Sequence, residues 1–448
     1  MFFNYTLNKA ISTTCTFTIS DFEKVKQKVL NWSQRFSTFC FLDNHQYQLE
    51  PHSIECLLAA GIKRQLKANA GNALEQLQSF IDEKQSWLFG HLGYDLKNEI
   101  EDFSSHNPDH SGFPDLFFFE PEIIIRLSPA EICIEGEHPE SILQEVLAIR
   151  IDPSEKAGNL AFPPQPVNIQ NRFSQPEYIA VINKLQQHIL RGDCYEINFC
   201  QEFFAEKAVI NPIDIYRKLS TISPNPFSAL YRIKDQWLIC ASPERFLKKE
   251  GQRILSQPIK GTSRRITEND TADQQSKEEL RYSSKDRSEN VMVVDLVRND
   301  LAKICEEGTV KVDELYGIYS FPQVHQMIST ISGVLKNDIA FTDIIRATFP
   351  MGSMTGAPKM KVIELIEEYE RTKRGIFSGA VGYISPGGDV TAGQAGFDFN
   401  VVIRSIMYNA GTAYLSFQAG SGITFYSDPE KEWQECMMKA EAIKKALE

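Results

Sequence analysis

Short apolar runs broken by polar turns dominate the first third of this chain, with few long helical stripes. Trp87-Leu88-Phe89-Gly90 and Leu116-Phe117-Phe118-Phe119 are two such runs. Ile123-Ile124-Ile125, followed by Arg126 and Leu127, is β-branched and short enough for a strand. Periodicity is lost from 152 to 172, where Asp-Pro-Ser-Glu-Lys-Ala-Gly leads to Phe-Pro-Pro-Gln-Pro, and this predicts an exposed crossing segment. A helical pattern follows. Ser174 and Glu177 have capping-box spacing, and Pro176 falls in the first turn, where its missing N–H costs little. Ile179, Ile182, Leu185 and Ile189 recur at helical spacing, and Gly192 ends the run. Strands are expected at 226–232, 236–241 and 326–335, and helices at 284–299, 342–348 and from Pro358 to about Glu370. The last hundred residues read as strands 378–385, 397–407 and 412–419, with turns at Pro386–Asp389 and Asn409–Gly411 and a closing helix near Pro429. This mixture predicts an α+β fold with a mainly antiparallel sheet. It divides into an amino-terminal subdomain (1–150), the crossing segment (151–173) and a carboxy-terminal region (174–448).

Composition narrows the class of protein. The 448 residues are 42% hydrophobic and 24% charged, an ordinary globular balance long enough for a large core. A net charge of −12 argues against nucleic acid or an anionic membrane as the main partner. The nine cysteines are scattered without a CxxC pair, which fits reduced thiols. With neither a signal-peptide pattern nor a long apolar span, the expectation is a soluble cytoplasmic protein.

Several segments could carry chemistry. Lys260, in Gln257-Pro-Ile-Lys-Gly-Thr262, stands between a φ-fixing proline and a permissive glycine, and Glu244 lies upstream in Ser242-Pro-Glu-Arg-Phe246. Such a bend would aim an amine, which must be deprotonated to attack; a solvated surface lysine would read the same way. Asp286 with Glu289, and Glu432 with Glu435, have i, i+3 spacing on expected helices. Facing each other, they could present four carboxylates to one hard cation such as Mg²⁺, or they could be solvated acidic faces. Pro350-Met-Gly-Ser-Met-Thr-Gly-Ala-Pro-Lys359, with Thr355 and Lys359, opens an expected helix and could seat an anion or simply cap that helix. Gly420, Ser421 and Gly422 follow an expected strand; they could bring backbone N–H groups to an anion or mark a bulge. Arg404, in an otherwise apolar strand, pairs internally or faces a ligand. His325 is either a hydrogen-bonded core group or a functional one.

Taken together, these segments resemble the chorismate-utilising enzyme family over roughly residues 174–447. The likeness runs through Gly192-Asp-Cys-Tyr-Glu-Ile-Asn198, Ser223-Pro-Asn-Pro-Phe-Ser228, Ser242-Pro-Glu-Arg-Phe246, Pro258-Ile-Lys-Gly-Thr262, Val294-Asp-Leu-Val-Arg-Asn-Asp300, Gly352-Ser-Met-Thr-Gly-Ala-Pro-Lys359 and Ala419-Gly-Ser-Gly422. The amino-terminal third matches loosely, mainly at Gly90-His-Leu-Gly-Tyr-Asp95. The resemblance implies large antiparallel sheets packed as a sandwich with helices outside, and a chorismate-binding catalytic region at 174–448. Family members that make anthranilate typically carry Ala within Pro-Ile-x-Gly-Thr; the branch that makes aminodeoxychorismate has Lys, as at Lys260. Isochorismate and salicylate synthases activate water with a different lysine, whose position here is Glu196.

On that resemblance, Mg²⁺ is held by Glu289 and Glu435 with Asp286 and Glu432 nearby. Glu244 acts as the acid and Lys260 as the nucleophile, with His325 among the catalytic candidates. Thr262, Thr355, Lys359, Arg404, Gly420, Ser421 and Gly422 bind substrate. A seat for tryptophan, as in some relatives, would involve Pro226, Phe227 and Ser228. No Gly-x-Cys-x-Gly nucleophile turn is present, so ammonia is expected from a separate glutamine amidotransferase subunit. A lyase would be needed to carry the product on to 4-aminobenzoate and folate.

Overall fold

The strand Gln236–Ser242 shows why the chain folds in layers. Trp237, Ile239 and Ala241 belong to one apolar cluster, while Leu238 and Cys240 belong to another. Alternate side chains leave a strand on opposite faces, so a strand apolar on both must lie between two packed layers. A computed structural model describes residues 13–47, 54–151, 167–386 and 396–448 of the protein. Among them are a 12-stranded and a 10-stranded sheet, with every strand pairing antiparallel between neighbours such as Phe227–Ile233 and Gln236–Ser242. The first cluster joins the larger sheet to helices that include Phe22–Ser33, Gln175–Leu190 and Pro429–Leu447. The second fills the space between the sheets and continues to the helices Ala73–Asp82, Ser284–Ile304 and Phe341–Thr348. The expected sandwich with helices outside is the observed fold.

Both sheets draw on distant parts of the chain. Thr38–Asp43 pairs with Phe227–Ile233 in the larger sheet, and Leu88–Leu92 pairs with Ala380–Ser385 in the smaller. The chain crosses from the larger sheet to the smaller through Pro243-Glu244 and returns through Val402–Arg404. The expected strand 397–407 is therefore two strands, Gly396–Val401 and Ser405–Asn409, in different sheets. Arg404 stands between them at φ +50°, not in a strand interior. The two crossings are tied together, since Val401 N–H donates to the Glu244 carbonyl at 3.0 Å and Ala241 N–H to the Arg404 carbonyl at 3.2 Å.

The capping box forms as expected, with Ser174 N–H donating to Glu177 at 2.8 Å. The helix expected at 284–299 runs on to Ile304. A helix at Asp270–Tyr282 had no counterpart in the sequence reading, because Leu280 is its one buried residue and it lacks an apolar stripe. Most of the expected crossing segment (152–166) and residues 387–389 of the expected turn lie outside the described residues. No described helix is long and apolar enough to cross a membrane, and all nine cysteines are free thiols.

Candidate active site

Lys260 sits on a bulge. The strands Ile259–Arg264 and Val324–Val334 pair Ile259 with Ile328 and Thr262 with Gln326, so the first strand holds one residue more. Gly261 absorbs it at φ +96°, and a bulge of this kind re-aims the neighbouring side chain. Lys260 Nζ donates to Glu196 Oε1 at 2.6 Å. Glu196 begins the strand Glu196–Ala205 of the other sheet and is only 2% exposed. Gly422 closes over the pair: a Cβ there would stand 2.7 Å from Lys260 Nζ and 2.5 Å from Glu196 Oε1. Burial is the largest single influence on Lys260 and would lower its pKa; the carboxylates of Glu196, Glu289 and Glu244 outweigh it, and the net direction is upward. Lys260 therefore rests as an ammonium.

Glu244 is placed by the outgoing crossing and is also buried. Burial pushes its pKa up to about 7, against the weaker opposing pull of Ser353, Lys260, the Ile259 N–H and Arg404. The Ser353 hydroxyl lies beside this carboxyl without closing a hydrogen bond of normal geometry. Arg404, from the return crossing, is brought down to about 10 by burial, partly countered by Glu244. Glu244, Asp300, Pro258, Gly352 and Ser353 line a partly open cavity. Lys359 Nζ donates at 2.8 Å to Oδ2 of Asp300, one of the lining residues.

The carboxylate pairs come from the helices Ser284–Ile304 and Pro429–Leu447, as the sequence reading expects. Lys285 bridges them, 3.8 Å from Glu289 and 3.5 Å from Glu432. Glu432 also accepts a hydrogen bond from the Ser421 hydroxyl. Glu435 pairs with Lys439 at 2.7 Å, which holds its carboxyl below the usual range. Asp286 lies against the Lys260 bulge, where a Cβ on Gly261 would meet its Oδ1 at 3.0 Å. Among the described residues no cluster of three or more His, Cys, Asp or Glu forms a ready metal cage. Yet Glu289 Oε1 is buried without a hydrogen-bond partner, and burial pushes Glu289 up to about 7. A hard divalent cation would relieve that penalty, and an all-oxygen donor set suits Mg²⁺.

The remaining candidates divide. The segment 350–359 leads into the expected helix, which begins at Lys359, but it does so through a single 3₁₀ turn at Gly352–Met354 and a bridge of Gly356 and Ala357 to Ile197 and Glu196, and the helix has no side-chain cap. Thr355 is buried, with its hydroxyl donated to the Met351 carbonyl at 3.1 Å. Ala419–Gly422 lies inside the strand Tyr414–Ile423 and does not follow it. Gly420 is required there because a Cβ would run into the Phe199 carbonyl of the next strand. Thr262 is exposed on the Lys260 strand. His325 is buried with both ring nitrogens engaged, one 2.8 Å from Ser320 and the other 3.2 Å from Asp273. Pro226, Phe227 and Ser228 line a separate, partly open cavity between the sheets, with Asp43, Asp398 and Asn400. Sequence reasoning left the role of Glu196 open and missed Asp300 and Lys285 as partners, because their pairing is set by contacts far along the chain.

The chain is similar to known proteins over most of its length. Residues 32–445 match the family described as chorismate binding enzymes. The chain is 34% identical to an anthranilate synthase component I-like protein of Synechocystis sp., over 84% of this chain and 76% of the relative. It is 32% identical to aminodeoxychorismate synthase component 1 of Bacillus subtilis, over 81% of this chain and 77% of the relative. The fold is similar to the crystal structure of anthranilate synthase component I from Streptococcus pneumoniae TIGR4, with a TM-score of 0.73, 24% identity and coverage of 89% of this chain and 94% of that one.

Proposed function

The chain belongs to the family of chorismate binding enzymes and is itself an enzyme, and on that premise we propose that it is the chorismate-aminating component of an aminodeoxychorismate synthase. The observation that carries this reading is Lys260, aimed by a glycine bulge into a buried acidic site, with Glu244 raised to about 7 nearby. Glu244 protonates the departing C4 hydroxyl of chorismate, a task suited to an acid that titrates near the working pH. Lys260 attacks C2; the two conjugated ring double bonds shift and the C4–O bond breaks. Ammonia then adds at C4, the double bonds shift back and Lys260 is released, so two displacements preserve the stereochemistry at C4. Arg404, Lys359, Thr262, Thr355 and the Gly420–Gly422 backbone hold the substrate's carboxylates and ether, while His325, paired with Ser263 of the Lys260 strand, is itself fixed by Ser320 and Asp273. Glu289 and Glu435, with Asp286 and Glu432 beside them, would hold Mg²⁺, which when bound neutralises the ring carboxylate. Ammonia comes from a glutamine amidotransferase subunit, and the work is done in the cytoplasm. The cavity at Pro226, Phe227 and Ser228 supports a seat for tryptophan, an assignment that calorimetry without heat on adding tryptophan would remove.

The test is purified protein with chorismate, Mg²⁺ and ammonium at mildly alkaline pH, with products resolved by mass spectrometry. Aminodeoxychorismate, converted to 4-aminobenzoate only on adding a lyase, is the expected product. Anthranilate would place the chain in the other branch, to which the Synechocystis relative's name points. Chorismate binding without turnover would make it a regulatory chain.

A further inference from the structure

Lys260 must give up a proton before it can attack, and its Nζ already donates to a buried carboxylate. We infer that Glu196 is the catalytic base that takes the proton from Lys260. This inference rests on the covalent role proposed for Lys260 above. The acceptor is already in place, because Lys260 Nζ donates to Glu196 Oε1 at 2.6 Å within a buried pair. Glycine at position 422 leaves room for the pair, since a Cβ there would overlap both atoms. The other acidic groups facing Lys260 have different tasks or different neighbours. Glu244 comes from the crossing between the sheets, Asp286 and Glu289 from the helix Ser284–Ile304, and Glu435 from the helix Pro429–Leu447.

The step balances without an added reactant. One N–H proton passes from Lys260 to Glu196 as the nitrogen lone pair forms the bond to C2. The ring π electrons shift towards C4, and the hydroxyl leaves as water with the Glu244 proton. When ammonia attacks C4, its surplus proton restores Glu244, the C2–N bond breaks, and Lys260 recovers its proton from Glu196.

The test uses the whole protein, Mg²⁺ and chorismate without ammonia, quenched at intervals, with the Lys260 peptide followed by mass spectrometry. Wild type is expected to gain chorismate less water, at a rate that falls between pH 7 and 9 only as far as Glu244 loses its proton. E196Q preserves the shape of the side chain but cannot accept the proton. It is expected to form the adduct about a hundredfold more slowly than wild type at pH 7, with a deficit that narrows as pH rises and solvent takes over. E196D, which keeps a carboxylate, should recover part of the rate, with a deficit that is the same at every pH. Wild-type adduct with an equal or faster E196Q at every pH would overturn the role of Glu196 alone. Turnover without any wild-type adduct would overturn the covalent reading and this inference with it.

Discussion

The crossing between the sheets and the bulge on the smaller sheet each bury one ionisable side chain, and they leave it in opposite conditions. At the crossing, Lys260 and Arg404 pull on Glu244 too weakly to hold its charge, and burial lifts it to about 7. At the bulge, Lys260 meets Glu196 at 2.6 Å, and the surrounding carboxylates overcome burial to keep it protonated. Both groups therefore favour the protonated form in the resting protein. For the acid that is readiness; for the nucleophile it is a barrier to be removed at the moment of attack. Burial alone does not decide what a side chain can do. The nearest opposite charge does.

The largest way to break this contrast is Lys260→Ala. We expect amination, with ammonium or with glutamine and its partner subunit, to fall at least about a thousandfold while chorismate still binds by calorimetry. Full activity would sink the covalent step. Glu244→Gln comes next, with an expected loss of at least about a hundredfold. Wild-type activity should decline as pH rises through about 7, because Glu244 must be protonated to act; the variant's residual activity should lack that limb.

The same substitution should register in stability. Between its ordinary value of 4.5 and about 7, folded Glu244 binds a proton that the unfolded chain has released. Its raised pKa thus costs stability as pH rises through that window, reaching about 3 kcal/mol and levelling off above it. Urea titrations at pH 5 and pH 8 should show E244Q gaining on wild type by about that amount at the higher pH, and no change in the difference would remove the pKa assignment. The smallest effect is expected from Gly422→Ala. Its Cβ would displace the Lys260–Glu196 pair by a fraction of an ångström, lowering kcat about tenfold with little change in KM. An unchanged kcat would mean that the pair tolerates the shift.

Local signals carried much of this molecule. The capping box at Ser174 and Glu177, the i, i+3 carboxylates and the Pro258–Gly261 bend all act within a few residues, and the structure places each where its pattern implies. What stayed hidden depends on distance or on missing contrast. Glu196 and Lys260 are 64 residues apart, and no spacing rule joins them. Val401-Val402-Ile403 reads as strand interior because it is apolar on both faces; yet a change of sheet also buries both faces, and the positive φ of Arg404 leaves no mark in composition. The helix Asp270–Tyr282 presents mostly polar residues, so its helical period carries no hydrophobic signal.

The paired crossings have a mechanical consequence. Two segments that change sheets side by side, pinned by the Val401–Glu244 and Ala241–Arg404 hydrogen bonds, form a pivot. If the layers slide or open slightly as substrate enters, displacement is least at a pivot and grows with distance from it. Glu244 and Arg404 would then keep their mutual spacing through such breathing. Lys260 and Glu196, contributed by strands of opposite sheets, span the gap and would feel the movement directly. A small opening motion would leave the acid station undisturbed while it loosens the grip on the lysine.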